Sequence, residues 1–295
     1  MIISASYRTD IPAFYGEWFM NRLRTGYCKV VNPYGGQIGR VSLAREDVDG
    51  FVFWTKNLRP FAGYLAEIRE RSYPFVVQFG IDGYPRELEA SVIDSKVSVV
   101  LLREIAERYG PRVCVWRYDT IVISSLTPVE FHLDNFSALA KNLQGATDEV
   151  VISFLHPYKK TCRAMDRAAK AHNFSWHDPS PAEKKELALR LVTIAEDYGI
   201  RLSICAQREY LVPGAADARC VDAERLSDVA GYPIHAGRQG HRKECGCWES
   251  RDIGEYDTCL HGCVYCYAVN TPALAKKRLH EHDPLSEFLV KRSHP

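Results

Sequence analysis

A sixfold alternation of short apolar strands with helical segments is the feature that most constrains the fold of this chain. Strands are predicted at residues 2–5, 51–54, 75–79, 112–118, 150–155 and 200–205. Because these strands are apolar along their length, we expect a parallel sheet that is buried on both faces and covered by helices. Helices are predicted from residue 10 to 24, from 60 to about 70, from about 94 to 109, and after capping boxes at residues 127–130 and 180–183.

Polar residues follow the carboxyl ends of the predicted strands, and they favour a barrel over a flat sheet. Lys56 follows the second strand, and Arg117 and Asp119 lie at the end of the fourth. In a (β/α) barrel the strand ends converge on one mouth that holds the active site, whereas a doubly wound sheet spreads them along an edge. The sequence therefore predicts an α/β fold, a partial or complete (β/α) TIM-like barrel over residues 1–212. Residues 213–295 are predicted to form a Cys-rich cluster-binding segment packed on the barrel mouth, in the same structural unit.

Four of these polar residues, Lys56, Asn57, Arg117 and Asp119, are candidates for binding a cofactor or substrate at the mouth. Buried cations without a function are uncommon, and both Lys56 and Arg117 belong to apolar surroundings in the sequence. A ligand that carries a carboxylate and hydroxyl groups needs both a cation and a hydrogen-bond acceptor. The alternative is an ion pair of Lys56 or Arg117 with Asp119 that only orders the mouth.

The motif Cys259-x-x-x-Cys263-x-x-Cys266 carries the clearest chemical signal in the chain. Three thiolates on one tight loop can bind three irons of a 4Fe–4S cluster and leave the fourth iron open to a ligand. Gly262 allows the loop to fold back on itself, and Tyr267 is a candidate either for lining the adjoining cofactor pocket or for packing the loop. The spacing differs from the paired knuckles of zinc sites, and zinc binding or inert thiols are the alternatives.

Four further cysteines, Cys205, Cys220, Cys245 and Cys247, form a second candidate metal site. Cys205 ends the sixth predicted strand, and the other three lie in a segment without clear periodicity. Four thiolates can bind a second 4Fe–4S cluster, which we expect here, or a structural zinc ion, and unliganded thiols are a third alternative. Spacing alone does not fix which of these forms.

The loop Cys-Leu-His-Gly-Cys-Val-Tyr-Cys-Tyr-Ala at residues 259–268 resembles the signature loop of the radical S-adenosylmethionine superfamily, in its spore photoproduct lyase-like branch. The motifs at residues 9–13, 53–57 and 116–119 are also similar to an uncharacterised prokaryotic family, a domain of unknown function with a C-terminal cysteine cluster. In the superfamily the loop normally follows the first strand of the barrel, but here it follows the last. The resemblance therefore implies a circularly permuted barrel.

The resemblance also implies an activity. The open iron of the cluster would bind S-adenosylmethionine, and an electron from an external donor such as ferredoxin or flavodoxin would generate a 5′-deoxyadenosyl radical. That radical would abstract hydrogen from a substrate that the sequence does not identify. Likeness to a DNA-lesion lyase suggests nucleic acid, but a net charge of +1 does not support it. The alternatives are an iron–sulfur electron-transfer or sensor protein without S-adenosylmethionine cleavage, and a zinc-stapled barrel hydrolase or lyase.

Composition and the N-terminal sequence limit the cellular location. The N-terminus lacks the basic and apolar regions of a signal peptide, and no stretch approaches the roughly 20 apolar residues of a membrane span. Ten cysteines without an export signal favour reduced thiols and metal binding over disulfides. We therefore expect a cytoplasmic, oxygen-sensitive protein with no membrane partner. The basic run His241-Arg242-Lys243 is predicted to be solvated surface.

Overall fold

The computed structural model describes residues 1–240 and 244–291, so the basic run at residues 241–243 lies outside the described residues. Its strands are β1 (Ile2–Ala5), β2 (Tyr27–Val31), β3 (Ile38–Ser42), β4 (Gly50–Thr55), β5 (Phe75–Gly80), β6 (Cys114–Ile121), β7 (Glu149–Phe154), β8 (Arg201–Ile204), β9 (Ala216–Asp217) and β10 (Ser250–Asp252). Eight of them form one parallel sheet in the order β10-β1-β4-β5-β6-β7-β8-β9, while β2 and β3 form a separate antiparallel hairpin. All six predicted strands are thus confirmed within a few residues.

The helices are α1 (Ile11–Phe14), α2 (Gly16–Thr25), α3 (Tyr64–Glu70), α4 (Ser95–Tyr109), α5 (Val129–Leu143), α6 (Lys159–His172), α7 (Pro181–Asp197), α8 (Ala223–Ala230) and α9 (Pro272–His280). Two short 3₁₀ turns, Pro111–Val113 and Arg208–Tyr210, precede β6 and follow β8. No helix in the described part of the chain has the length and apolar character that crossing a membrane requires.

The α/β class with a parallel sheet is confirmed, but the sheet is open, so the complete form of the predicted barrel does not occur. Its two edges are β9 and β10, and no pairing joins them within residues 1–240 and 244–291. β9 has two residues and β10 has three, so neither edge presents a ladder long enough to close the sheet. Both edge strands come from the segment after residue 212, which was predicted to pack on the barrel mouth and not to form part of the sheet.

The two faces of the sheet carry different apolar cores, since side chains alternate between the faces along each strand. Phe51, Phe53, Phe75 and Trp116 lie in the larger core, together with side chains of the covering helices. The second core joins residues from five strands to the C-terminal segment: Ile2, Val52, Val76, Val115 and Val151 pack with Cys205, Ala218, Cys220, Val221, Leu226, Ile234 and Cys247. The segment that contains the cysteines therefore covers one face of the sheet.

Several helix boundaries differ from the sequence-based prediction. The helix expected from residue 10 is two helices that meet at Tyr15, and the helix expected from Pro60 begins at Tyr64. The capping box at residues 127–130 does not form, because the Thr127 hydroxyl donates to the Val122 carbonyl oxygen, 2.7 Å away. The box at Ser180 and Glu183 is present with both of its hydrogen bonds. Helices α6 and α8 were not predicted.

The buried imidazole of His132 on α5 gives the fold a testable pH dependence. Its Nδ1 accepts from the Tyr118 hydroxyl at 2.9 Å, and its Nε2 donates to the Val122 carbonyl oxygen at 3.0 Å, which fixes the neutral form. Burial lowers the pKa of His132 to about 4, although the bond to Val122 opposes that shift. The unfolded chain therefore binds a proton that the folded chain excludes, and this stability is lost as the pH falls from about 6.5 toward 4.

We expect His132→Gln to remove that part of the pH dependence, which amounts to about 2 kcal/mol between neutral pH and pH 4.5. Urea unfolding of the unaltered protein and of His132→Gln, each at neutral pH and at pH 4.5, measures this change in the free energy of unfolding. An unchanged pH slope in the variant would contradict the assignment of His132 as the titrating group.

Candidate functional site

The loop that carries Cys259, Cys263 and Cys266, here called the cysteine triad, lies over the carboxyl ends of β1, β4 and β5. Cys263 forms an antiparallel bridge with Glu89, and the Val264 N–H donates to the Leu88 carbonyl oxygen at 3.0 Å. Gly262 has φ +70°, and a Cβ there would approach the Ala90 Cβ to 3.1 Å, so this turn requires glycine. The loop is therefore held against residues 88–91, which follow β5.

The triad thiols interact electrostatically with one another, and backbone N–H groups donate hydrogen bonds to the sulfurs of Cys259 and Cys266. The Ala268 N–H lies 3.3 Å from the Cys266 sulfur, and the Asp10 and His261 N–H groups interact with Cys259. Burial raises the pKa of all three thiols, and the mutual repulsion of the three thiolates adds to that effect at Cys263. Within the described residues no hydrogen bond joins two triad thiols, although each of the three side chains is partly accessible. Backbone N–H donors of this kind suit thiolates that bind a metal, and a bound metal would hold the thiols ionised.

Lys56, Asp82 and Glu89 form a buried set of charges beside the triad, here called the acid–lysine network. The Lys56 ammonium contacts the Asp82 carboxylate and lies 2.7 Å from Glu89 Oε1. Glu89 also accepts from the Tyr265 hydroxyl and lies 3.9 Å from the Cys263 sulfur. Burial opposes a charge on Lys56, yet the two carboxylates raise its pKa well above the ordinary value. Lys56 is thus a permanent cation with two acidic partners.

Arg117 and Asp119 are tied to this network through Asp82. The Asp119 N–H donates to Asp82 Oδ1 at 2.7 Å, and the Arg117 guanidinium pairs with the Asp119 carboxylate. Arg117 also lies over the Trp54 ring, 5.0 Å from its centroid. The structure therefore brings Lys56, Arg117 and Asp119 together at the carboxyl ends of the central strands β4 and β6. Arg117 and Asp119 form an ion pair there, as expected if these residues only order this end of the sheet.

The four remaining candidate cysteines, here called the cysteine quartet, also lie close together. The sulfurs of Cys205 and Cys220 are 3.5 Å apart, and the Cys247 thiol interacts with the thiols of Cys220 and Cys245. One guanidinium nitrogen of Arg117 lies 3.0 Å from the Cys220 sulfur, and Arg117 also pairs with Asp119, so it connects the quartet to the acid–lysine network beside the triad. The quartet thus lies on the second face of the sheet, next to the acid–lysine network.

Two of the predicted cofactor-binding residues have local roles. The Asn57 side chain accepts from the Arg59 N–H at 3.1 Å, as in a turn. Tyr267 is 47% exposed, and its hydroxyl donates to the Tyr7 carbonyl oxygen at 2.7 Å, which ties the end of the triad loop to the loop after β1. Neither side chain lies inside the acid–lysine network.

Two residues beside the triad, Glu89 and Lys160, were not predicted as site residues. Glu89 lies in a loop without periodicity, so no sequence signal connects it to Lys56. Lys160 lies in the first turn of α6, donates to the Tyr267 carbonyl oxygen at 2.9 Å, and favours the ionised form of Cys266. His261, inside the cysteine motif, donates from Nε2 to Asp10 at 2.7 Å, which is the hydrogen-bonding role that is commoner for such a histidine than metal ligation.

No group of three or more His, Cys, Asp or Glu side chains within residues 1–240 and 244–291 is already arranged to hold a single metal ion. The triad and the quartet are therefore candidate ligand sites on the basis of their thiols, the contacts between them and the hydrogen-bond donors around them. Any ligand role for them is a proposal that those features support.

Comparison with protein families finds a match to a family described as "Domain of unknown function (DUF1848)" over residues 2–268. That range includes both cysteine sites, the acid–lysine network and every strand of the sheet. Searches of curated proteins and of solved structures find no match.

Proposed function

We propose that this chain, which belongs to the DUF1848 family of domains of unknown function, is a radical S-adenosylmethionine enzyme. The observation that carries the proposal is the position of β10. It is the last strand in the sequence, yet it occupies one edge of the sheet beside β1, and the triad loop follows it directly. In space the loop therefore follows the first strand of the sheet, as the superfamily order requires, and a circular permutation accounts for its place in the sequence.

In this proposal Cys259, Cys263 and Cys266 hold a 4Fe–4S cluster, and the sheet is a partial, open form of the (β/α) barrel. When bound, the cluster and S-adenosylmethionine supply the electron transfer and carbon–sulfur cleavage that permit hydrogen abstraction from a substrate. An external electron donor such as ferredoxin or flavodoxin is required. The N–H groups of Asp10, His261 and Ala268 would stabilise the ionised sulfurs.

The residues around the triad would orient the cofactor and exclude water. The Phe14 ring packs on the His261 ring with centroids 4.8 Å apart, and Tyr265 is buried against Tyr84. These contacts cover the side of the loop that faces the sheet. Since two carboxylates already neutralise Lys56, we assign the recognition of an anionic cofactor group to Lys160, whose described partner is a carbonyl oxygen.

Cofactor cleavage tests this function directly. We expect dithionite-reduced protein, prepared without oxygen, to convert S-adenosylmethionine into 5′-deoxyadenosine and methionine in equal amounts, measured by chromatography. Lys160→Met should raise the cofactor concentration needed for half-maximal cleavage, whereas Cys162→Ser, a cysteine outside both sites, should not. Absence of cleavage by protein that contains a full cluster would favour the electron-transfer alternative.

A further inference from the structure

We propose that the cysteine quartet binds a single tetrahedral zinc ion rather than a second iron–sulfur cluster. The inference goes beyond the proposed function, because it concerns the other face of the sheet and a metal without redox chemistry. Its basis is the spacing of the quartet sulfurs, the donors that surround them and the part of the fold that they hold.

The spacing of the sulfurs separates the two metals. Zinc–sulfur bonds of about 2.3 Å in a tetrahedron place the sulfurs of one ion about 3.8 Å apart. The four cysteine ligands of a 4Fe–4S cluster bind four different irons, so their sulfurs lie farther apart. The Cys205 and Cys220 sulfurs are 3.5 Å apart, and further thiol contacts connect Cys220 to Cys247 and Cys247 to Cys245. These contacts run through all four thiols, and the Cys205–Cys220 distance is that of two ligands to one ion, although in the described part of the chain the four sulfurs are not yet arranged around a single point.

The triad provides an internal comparison in the same chain. Its three thiols influence one another electrostatically, but in the described part of the chain no hydrogen bond joins any two of them. The thiols of the quartet therefore contact one another more directly than those of the triad.

The surroundings of the quartet suit the charge of a zinc tetrathiolate. Four thiolates around Zn²⁺ carry a net charge of about −2, which needs compensation in a buried site. The Arg117 guanidinium lies 3.0 Å from the Cys220 sulfur, and the Val221 N–H lies 3.4 Å from the Cys247 sulfur. Arg117, which is only 8% exposed and also pairs with Asp119, offsets part of this charge from inside the fold. Donors of this kind orient and stabilise metal-bound sulfur.

The position of the quartet shows what the ion would hold. Cys205 follows β8, Cys220 lies between β9 and α8, and Cys245 and Cys247 precede β10. The chain between them supplies the apolar side chains that cover the second face of the sheet, including Val221 and Leu226. A zinc ion would link this segment to the end of β8. The free energy of zinc binding would then contribute to the free energy of folding.

Metal analysis of the full chain, purified without oxygen from zinc- and iron-supplemented cells, tests the inference. The key variant replaces Cys259, Cys263 and Cys266 by alanine and so retains only the quartet. We expect about one zinc per chain and no acid-labile sulfide in this variant. A Cys220→Ser/Cys247→Ser variant should lose the zinc, while the control Cys162→Ser retains it. About four irons with sulfide in the triad variant, neither metal, or a Cys205–Cys220 disulfide would overturn the inference.

Cobalt substitution keeps the test independent of variants that fail to fold. Unaltered protein, or the triad variant, treated with Co²⁺ in place of zinc should show the visible absorption of tetrahedral cobalt thiolate. Octahedral cobalt, or no binding, would also overturn the inference. Cleavage of S-adenosylmethionine by the unaltered protein reports on the proposed function alone, so failure of the two proposals can be distinguished.

Discussion

Replacing Cys259, Cys263 and Cys266 together by alanine is expected to abolish S-adenosylmethionine cleavage and to remove about four irons and an equal amount of sulfide per chain. The three thiols lie on one loop over the carboxyl ends of β1, β4 and β5, and backbone N–H groups already lie near the sulfurs of Cys259 and Cys266. Without the thiolates the loop offers one imidazole, bonded to Asp10 through Nε2, and two phenol groups, so three cluster ligands are no longer available. Product formation should fall below detection.

The same substitutions should leave the fold intact. The triad loop is also held by backbone hydrogen bonds to residues 88 and 91 and by the Asp257 N–H, which donates to the Ala268 carbonyl oxygen at 2.9 Å. Circular dichroism and the retained quartet metal check the fold. Cys162→Ser, treated in parallel, should keep both iron and activity. Full iron content in the triple variant would show that the cluster, if present, binds elsewhere.

Replacing Lys56 by methionine is expected to lower the free energy of unfolding by about 3–5 kcal/mol. Lys56 is the cation between two carboxylates, Asp82 and Glu89, whose side chains are 0% and 3% exposed. Even with Lys56 present, burial raises the pKa of Asp82 to about 7. Without the ammonium, these two buried acids must either take up protons or remain charged without compensation, and both outcomes cost stability.

Urea unfolding at pH 7 measures the loss, and second-site substitutions test its cause. The triple variant Lys56→Met/Asp82→Asn/Glu89→Gln should recover most of the stability, because the acids are then neutral. Lys159→Met, at an exposed position on α6, is the matched control and should change stability by less than about 0.5 kcal/mol. A Lys56→Met protein as stable as its parent would show that the network contributes little to folding.

The sequence predicted the sheet well, because strand periodicity and helix caps are local signals. Ser180 and Glu183 are one example, since a complete capping box can be read from four residues. β10 was missed because it has only three residues, Ser250–Asp252, and it is stabilised by pairing with β1 rather than by its own composition. Neither β10 nor the two-residue β9 was predicted, so the sequence did not show that the sheet ends in two short edge strands and stays open.

The candidate site was only partly predictable, because its contacts join residues far apart in the chain. The cysteine spacing identified the triad, and the strand ends identified Lys56, Arg117 and Asp119. Glu89 could not be connected to Lys56, since that pairing depends on how the loop after β5 folds beneath the triad. The proximity of the quartet sulfurs likewise depends on a non-local fold.

Electron paramagnetic resonance of the dithionite-reduced chain, recorded with and without S-adenosylmethionine, tests the central claim most directly. We predict a reduced 4Fe–4S signal whose g-values shift when the cofactor is added, because its methionine group would bind the open iron. The signal should disappear in the triad variant. A strong cluster signal that S-adenosylmethionine leaves unchanged would contradict the assignment of this chain as a radical S-adenosylmethionine enzyme.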